Sequence, residues 1–286
     1  MFKSSCDILS VRSLKHWSSC LSTVSYVSLG CPKALVDSEH IVTALADENF
    51  EVVGENSDAS VIIINTCGFI NQAKSESYAA IETAIENEQQ VVVTGCLGVE
   101  REELLRRYPN LKFVSGPGNT VQVVNAVKSL KGKSVDKLYN PALVGRDSGN
   151  RVLLTPEHYA YLKIAEGCNH KCTFCIIPTM RGPLASKTLA ELVEEAETLV
   201  ENGVRELLLI AQDLSAYGLD SKYVNNIGSV LSGREDIFAL CNKLAGIAPW
   251  LRLHYVYPYP HVDELIDMMA EGHILPYLDM PLQHAS

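Results

Sequence analysis

Along the chain, short runs of consecutive β-branched and other apolar residues alternate with longer stretches in which apolar and polar positions recur at helical spacing. Between Val24 and about Leu130 this pattern predicts strands at Val24–Leu29, Ser60–Asn65, Val91–Thr94 and Phe113–Ser115. It predicts helices over Leu35–Asp47, Gln72–Asn87, Glu100–Tyr108 and Thr120–Leu130. A βαβ rhythm of that kind builds a mainly parallel sheet with helices on its faces.

From Lys131 to about Glu157 the rhythm stops. This stretch is polar, carries Pro141, Gly145, Gly149 and Pro156, and reads as a connection between domains. A second series follows, with strands expected at Ala160–Ala165, Glu206–Ala211, Leu251–Val256 and Tyr277–Met280. Its helices are expected over Leu189–Asn202, Ile237–Ile247 and Val262–Glu271. The fold class is therefore α/β. A parallel-sheet domain spans residues 24–130, a linker 131–157 and a second β/α series 158–286, while residues 1–23 fit neither pattern.

Chemistry concentrates where these strands end. Cys31, Cys67 and Cys96 each fall within two residues of the end of an expected strand, and the carboxyl ends of parallel strands line one crevice where ligands bind. Gly30, Gly68, Gly95 and Gly98 flank them, as suits loops that turn sharply or approach a bulky group closely. One strand-end cysteine is ordinary packing; three in one topological position call for another cause. In the second series Cys168, Cys172 and Cys175 form a Cys-x3-Cys-x2-Cys loop directly after the first strand, and Gln212 and Asp213 follow the second strand. Parallel β/α barrels keep their active sites at that face.

Three thiolates on a cubane 4Fe-4S cluster leave one iron with an open position, the mark of a reactive site. Zinc and core packing are the competing readings of such a loop. Zinc needs a fourth ligand, for which His170 is available, but the two thiol pairs of a zinc ribbon are missing. Gln212 and Asp213 are placed to touch a cofactor or substrate, or to brace the loop; His254 and Tyr255, late in the third strand, fit a core or supporting role.

Composition narrows the setting. With 47% hydrophobic and 20% charged residues there is material for a large core, and the longest apolar runs are strand-length, far short of the ~20 residues that cross a bilayer. No membrane association is expected. Nine cysteines, six of them in ligand-like motifs, suit a reducing cytoplasm better than a disulfide framework. A net charge of -10 favours a basic protein as partner over a nucleic acid, weakly, because a local basic patch leaves net charge almost untouched.

The run Gly167-Cys168-Asn169-His170-Lys171-Cys172-Thr173-Phe174-Cys175 resembles the signature loop of the radical S-adenosylmethionine (SAM) superfamily. Upstream, Gly30-Cys31-Pro32-Lys33 with Val36-Asp37-Ser38-Glu39, Asn65-Thr66-Cys67-Gly68-Phe69-Ile70 and Thr94-Gly95-Cys96-Leu97-Gly98 look like the three cysteine motifs of the methylthiotransferase family. Ile176-Ile177-Pro178, Arg181-Gly182, Ala211-Gln212-Asp213 and His254-Tyr255-Val256-Tyr257-Pro258 add to a likeness with that family's RimO branch, running from about Val24 to the last residue.

The resemblance implies two 4Fe-4S clusters and SAM. One cluster, on Cys168, Cys172 and Cys175, would bind SAM and cleave it to a 5'-deoxyadenosyl radical, with Phe174 near the adenine and Arg181, Gln212 and Asp213 at the cofactor. The other, on Cys31, Cys67 and Cys96, would carry the sulfur that is methylated and transferred. The implied substrate is the β-carbon of an aspartate in a ribosomal small-subunit protein, with a low-potential electron donor as second partner. A tRNA adenosine, as in the MiaB branch, is the alternative substrate, and an inactive iron-sulfur fragment the alternative activity.

Several positions depart from the branch pattern: Ala34, Leu214-Ser215, and Lys187, which keeps charge but lacks a guanidinium fork. The likeness still runs at Ser286, so a partial barrel without the family's TRAM domain is expected, with a strand edge left open near Tyr277–Met280. Residues 1–22 are Ser-rich with Lys3, Arg12 and Lys15, and read as an organellar targeting segment, a tail or a misplaced start. Cys6 and Cys20 have no assignment, and Cys241 is expected in a helix core.

Overall fold

The computed structural model describes residues 22–54, 58–133, 151–220 and 236–281. The N-terminal extension with Cys6 and Cys20, and most of the expected linker, lie outside the described residues. The chain divides into two compact units, the first from residues 22–29 and 41–133, the second from residues 30–40 and everything described beyond 150.

In the first unit, β1 (Ser22–Ser28), β2 (Phe50–Val53), β3 (Val61–Thr66), β4 (Gln90–Gly95) and β5 (Phe113–Val114) form one sheet in the order β2-β1-β3-β4-β5. All its pairings are parallel, with Ile63 opposite Tyr26 and Val92. The helices are the end of α1 (Pro32–Asp47), α2 (Asn71–Glu86), α3 (Arg101–Arg107) and α4 (Thr120–Leu130). Every residue of β3 is buried, Ile62 and Ile64 in a core with Ile81 and Leu104, and Val61 and Ile63 just as deeply. Burial on both faces is why the strand reads as an unbroken apolar run, and each such side chain contributes about 1.5–3 kcal/mol of transfer free energy. β2 escaped the sequence pattern because Phe50-Glu51-Val52-Val53 is a four-residue sheet edge with little apolar signal.

In the second unit β6 (Tyr159–Lys163), β9 (Glu206–Ile210) and β10 (Trp250–Leu253) make a parallel sheet in the order β10-β9-β6. Packed on it are α6 (Leu189–Glu201), α7 (Ile237–Ala245) and α8 (Glu264–Ala270), around Leu162, Leu192, Leu209, Leu240, Leu244 and Leu253. Cys241 is in that core. α6 opens with a capping box between Thr188 and Glu191, and Asp236 caps α7 by accepting from the Phe238 and Ala239 N–H groups.

Two expectations need correction here. β10 stops at Leu253 rather than Val256, because Tyr255 adopts φ 63°, a left-handed conformation no strand continues through. Tyr277–Met280 is not a strand: Pro276 and Pro281 flank it, and it is tied to the chain beyond β10 by Val256 N–H to Asp279 O at 2.9 Å. A short antiparallel pair absent from the sequence reading, β7 (Ala165–Glu166) with β8 (Ala185–Ser186), closes the base of the excursion that carries the second cysteine group. Among the described residues no helix is long and apolar enough to cross a membrane.

Candidate functional site

β7 leads into the loop of Cys168, Cys172 and Cys175, which ends in the short helix α5 (Ile177–Arg181). Gly167 sits at φ 76°, and a Cβ there would overlap the Pro183 carbonyl, so only glycine lets the chain turn into the loop. The Cys168 N–H donates to Gly182 O at 3.1 Å, and the Leu184 N–H to Asn169 Oδ1 at 3.0 Å; the loop's two ends are thus tied together. The Cys175 N–H donates to Cys172 O at 3.1 Å, a turn that brings the last two cysteines round.

All three thiols are free and half-buried. Burial pushes the Cys168 thiol up from its ordinary value, opposed by the His170 N–H and reinforced by Asp213, Cys175 and Cys172. Cys172 and Cys175 are thus near enough to Cys168 to act on its charge. Among the described residues no three His, Cys, Asp or Glu side chains are grouped to hold a metal ion. His170, the candidate fourth zinc ligand, turns its Nε2 to Asp213 and Tyr259. Phe174 stands out from the loop, 85% exposed.

Beneath the loop lies an ionic cluster centred on the part-buried Glu166, whose partners Lys163, Arg181 and Asp37 are buried. Arg181 Nη1 reaches both Glu166 oxygens, at 2.9 and 3.0 Å, Lys163 donates at 2.9 Å and the Gln212 side-chain amide at 2.6 Å. Asp37, on the first turns of α1, pairs with Lys163 and, at 3.4 Å, with Arg181. Two anions meet two cations, so the cluster is neutral and its members hydrogen-bonded, the condition under which buried charge is tolerated. Burial would raise the Glu166 carboxyl, but Lys163 and Arg181 outweigh it and hold it at about 2. Lys163 stays well above the ordinary lysine range because Asp37 and Glu166 overcome its burial. Arg181 and Gln212 thus share one carboxylate, while Asp213 faces His170.

Cys31 belongs to the same unit. Two residues on, Lys33 donates to Ala211 O at 3.3 Å and places its ammonium 3.3 Å from the centroid of the Tyr255 ring. Burial lowers Lys33 to about 8, against the pull of Cys31. His254 and Tyr255 brace one another through Asp279, which lies 3.2 Å from His254 Nδ1 and accepts the Tyr255 N–H at 3.0 Å.

In the first unit Cys67 directly follows β3 and Cys96 directly follows β4, two adjacent strands. A Cβ on Gly68 would stand 2.9 Å from the Leu97 nitrogen, one on Gly95 would overlap Asn65 and Thr66, and one on Gly98 the Ser115 carbonyl. The glycines noted in the sequence thus let the two cysteine-bearing turns meet main chain to main chain. Ser77 locks the first turn, accepting the Cys67 N–H and donating to Cys67 O, both at 3.0 Å.

Lys163 and Tyr259 carry site geometry that sequence reasoning missed, and Tyr257 entered it only as one letter of a family-like motif. Lys163 is an unusual cation at the end of a buried strand, a signal that could have been read; the tyrosines carried none beyond nearness to His254.

Two family models match the chain: the uncharacterized protein family UPF0004 over residues 23–116 and the radical SAM superfamily over residues 162–286. Curated relatives named ribosomal protein uS12 methylthiotransferase RimO, from Pseudomonas fluorescens and Methylorubrum extorquens, are 52% identical over 263 residues, 92% of this chain. The chain spans 58% of the length of those relatives. In fold it is similar to the radical SAM methyltransferase TsrM of Kitasatospora setae. A structure with cobalamin and a [4Fe-4S] cluster matches at TM-score 0.56 and 16% identity, covering 87% of this chain and 58% of that one. One with tryptophan and a SAM analog matches at 0.52 and 14%, covering 89% and 66%. With its two matched domains in that order and half its positions shared with those relatives over 92% of its length, the chain is similar to the RimO-type methylthiotransferases of the radical SAM superfamily.

Proposed function

We propose that this protein is a radical SAM methylthiotransferase that uses two 4Fe-4S clusters to place a methylthio group on the β-carbon of an aspartate in a ribosomal small-subunit protein, in the cytoplasm. The observation that carries the reading is the Cys-x3-Cys-x2-Cys loop of three free, half-buried thiols, in a chain half identical to proteins named for that activity. In this reading residues 24–130 serve the sulfur-carrying cluster through Cys31, Cys67 and Cys96, residues 131–157 connect, and residues 158–286 serve SAM cleavage.

Cys168, Cys172 and Cys175 would hold the first cluster and leave one iron open, and Phe174 is exposed where a flat apolar group could lie against it. When bound, that cluster supplies the electron that splits SAM into a carbon radical. The chain's own part is positioning. Glu166 gathers Lys163, Arg181 and Gln212 beneath the loop, and with Asp37 neutralises the two cations. Arg181 is also the residue we assign to the cofactor side, with Gln212 and Asp213. The Gln212 Oε1 and Asp213 Oδ1 atoms are buried without a hydrogen-bond partner among the described residues and are free to accept from a ligand.

The test is anaerobic reconstitution with iron and sulfide, then reduction with SAM present. About eight irons per chain, two four-iron clusters, with 5'-deoxyadenosine formed and a methylthio adduct on a uS12-type protein, is the expected result. About four irons would remove the two-cluster assignment, and adduct on tRNA alone would move the substrate to nucleic acid.

A further inference from the structure

The cysteine loop is tied at its base by main chain, but its middle is fastened by a side chain outside the ligand set. His170 stands between Cys168 and Cys172, and its N–H approaches Cys168 Sγ at 3.5 Å. Its ring stacks on Tyr257, centroids 4.3 Å apart and planes 27° from parallel, and on Tyr259 at 5.8 Å and 22°. Its Nε2 lies 2.8 Å from Asp213 Oδ2 and 2.8 Å from the Tyr259 hydroxyl oxygen, and that hydroxyl donates to the same Oδ2 at 2.9 Å. One assignment satisfies the triangle: Tyr259 donates to Asp213, and the Nε2–H of His170 is shared between Asp213 and the tyrosine oxygen.

The platform under the ring is itself rigid. Asp213, three residues beyond the end of β9, is 3% exposed. Ser215, two residues on, donates to Tyr257 O and accepts the Tyr257 N–H, each at 3.0 Å, and His261 stacks on Tyr259 with planes 15° apart. Three groups from two separate stretches of chain thus hold one imidazole, far more than a loop histidine needs for burial alone.

We propose that His170, clamped by Asp213, Tyr259 and Tyr257, is a positioning residue that sets the spacing of Cys168 and Cys172 before any metal binds. The inference rests on reading Cys168, Cys172 and Cys175 as one ligand set. The His170 main-chain N–H meets Cys168 Sγ, but its clamped ring is separated from both sulfurs by backbone, so the clamp acts by narrowing the loop's conformations. Ligands arranged in advance lose less freedom on binding and hold the bound group in a narrower geometry.

The decisive measurement uses the metal-free full chain, with and without Tyr259→Phe, which removes the hydroxyl and keeps the ring. Alkylation of each cysteine by iodoacetamide is followed by peptide mass. Cys168 and Cys172 should react about ten-fold faster in the variant, the factor for losing one hydrogen bond to a charged group, while buried Cys241 should not change. His170→Ala should give the larger increase, and adding Tyr259→Phe to it should give no more, because both act through one clamp. The reconstituted variant should also show a broadened, shifted EPR signal. Unchanged alkylation at Cys168 and Cys172 in both single variants overturns the proposal, as does an equal rise at Cys241, which would mean general loosening. Iron bound by the unaltered chain tests the ligand-set reading separately.

Discussion

The two cysteine-bearing regions are held by different physics. Around Cys67 and Cys96 the geometry comes mainly from main chain, with the neutral Ser77 hydroxyl locking one turn: adjacent parallel strands end in turns that touch because Gly68, Gly95 and Gly98 have no side chain. Around Cys168, Cys172 and Cys175 only the loop's base is made that way, at Gly167 and Gly182, and the rest depends on side chains, the Glu166 ionic cluster beneath and the His170 clamp in the middle. The first region should tolerate changes of charge and refuse any added carbon. The second should be sensitive to charge, and therefore to pH.

The sharpest way to break that contrast is Gly98→Ala. Its Cβ would overlap the Ser115 carbonyl, a backbone atom with no rotamer to escape into. We expect a loss of about 3 kcal/mol or more, the upper end for overpacked sites, read as a lower urea midpoint at unchanged slope. Gly167→Ala faces an equally close carbonyl plus a left-handed φ, but in a loop. Its damage should be local, with iron lost from the second unit's cysteines while the urea midpoint moves less than in Gly98→Ala. Equal midpoints would show that the loop is as integral to the fold as the sheet.

Next in size is Glu166→Gln, which leaves Lys163 and Arg181 facing an amide. Removing one member of a largely buried ion cluster costs about 3 kcal/mol, seen in the urea midpoint at pH 7. The sign of the pH effect follows from the carboxyl's being held at about 2, below its unfolded value of ~4.3. Its contribution is fully present above about pH 4.5 and is lost as pH falls toward 2. Glu195, held at about 2 by Lys187 and Arg151 despite burial, acts in the same direction. Glu39, raised chiefly by burial, acts in the opposite one. Acid titration should therefore loosen the second unit between pH 4.5 and 2, and Glu166→Gln should flatten that transition; an unchanged acid limb would show that the cluster does not govern it.

These contrasts also explain what could be read from sequence. The sheet of the first unit was legible because β3 and β4 are buried on both faces and so appear as continuous apolar runs. The glycines of the cysteine-bearing turns were legible because tight turns are local properties. The ionic cluster was not, since Asp37 lies 126 residues from Lys163 and 144 from Arg181, and a single sequence holds no record of such pairings. Tyr259 was missed for the same reason, 89 residues from His170. The strand expected at Tyr277–Met280 failed because three apolar or aromatic residues around Asp279 say nothing of whether a partner strand is there to pair with them.

The smallest expected effects sharpen the comparison at helix starts. α6 has a full capping box, and Thr188→Ala should lower stability by about 1 kcal/mol. α2, which begins just after the Cys67 turn, has Ile70 at its N-cap with no side-chain hydrogen bond, although φ -125° and ψ 154° are the extended angles a capping serine adopts. Ile70 is 54% exposed, so replacing it gives up little buried area. Ile70→Ser should therefore raise the urea midpoint of the metal-free protein by about 1 kcal/mol. If stability rises and methylthio transfer is unaffected, the missing cap is only an unoptimised helix end. If stability rises and transfer falls, the exposed apolar pair Phe69-Ile70 beside Cys67 is kept for contact with the substrate protein, at the helix's expense.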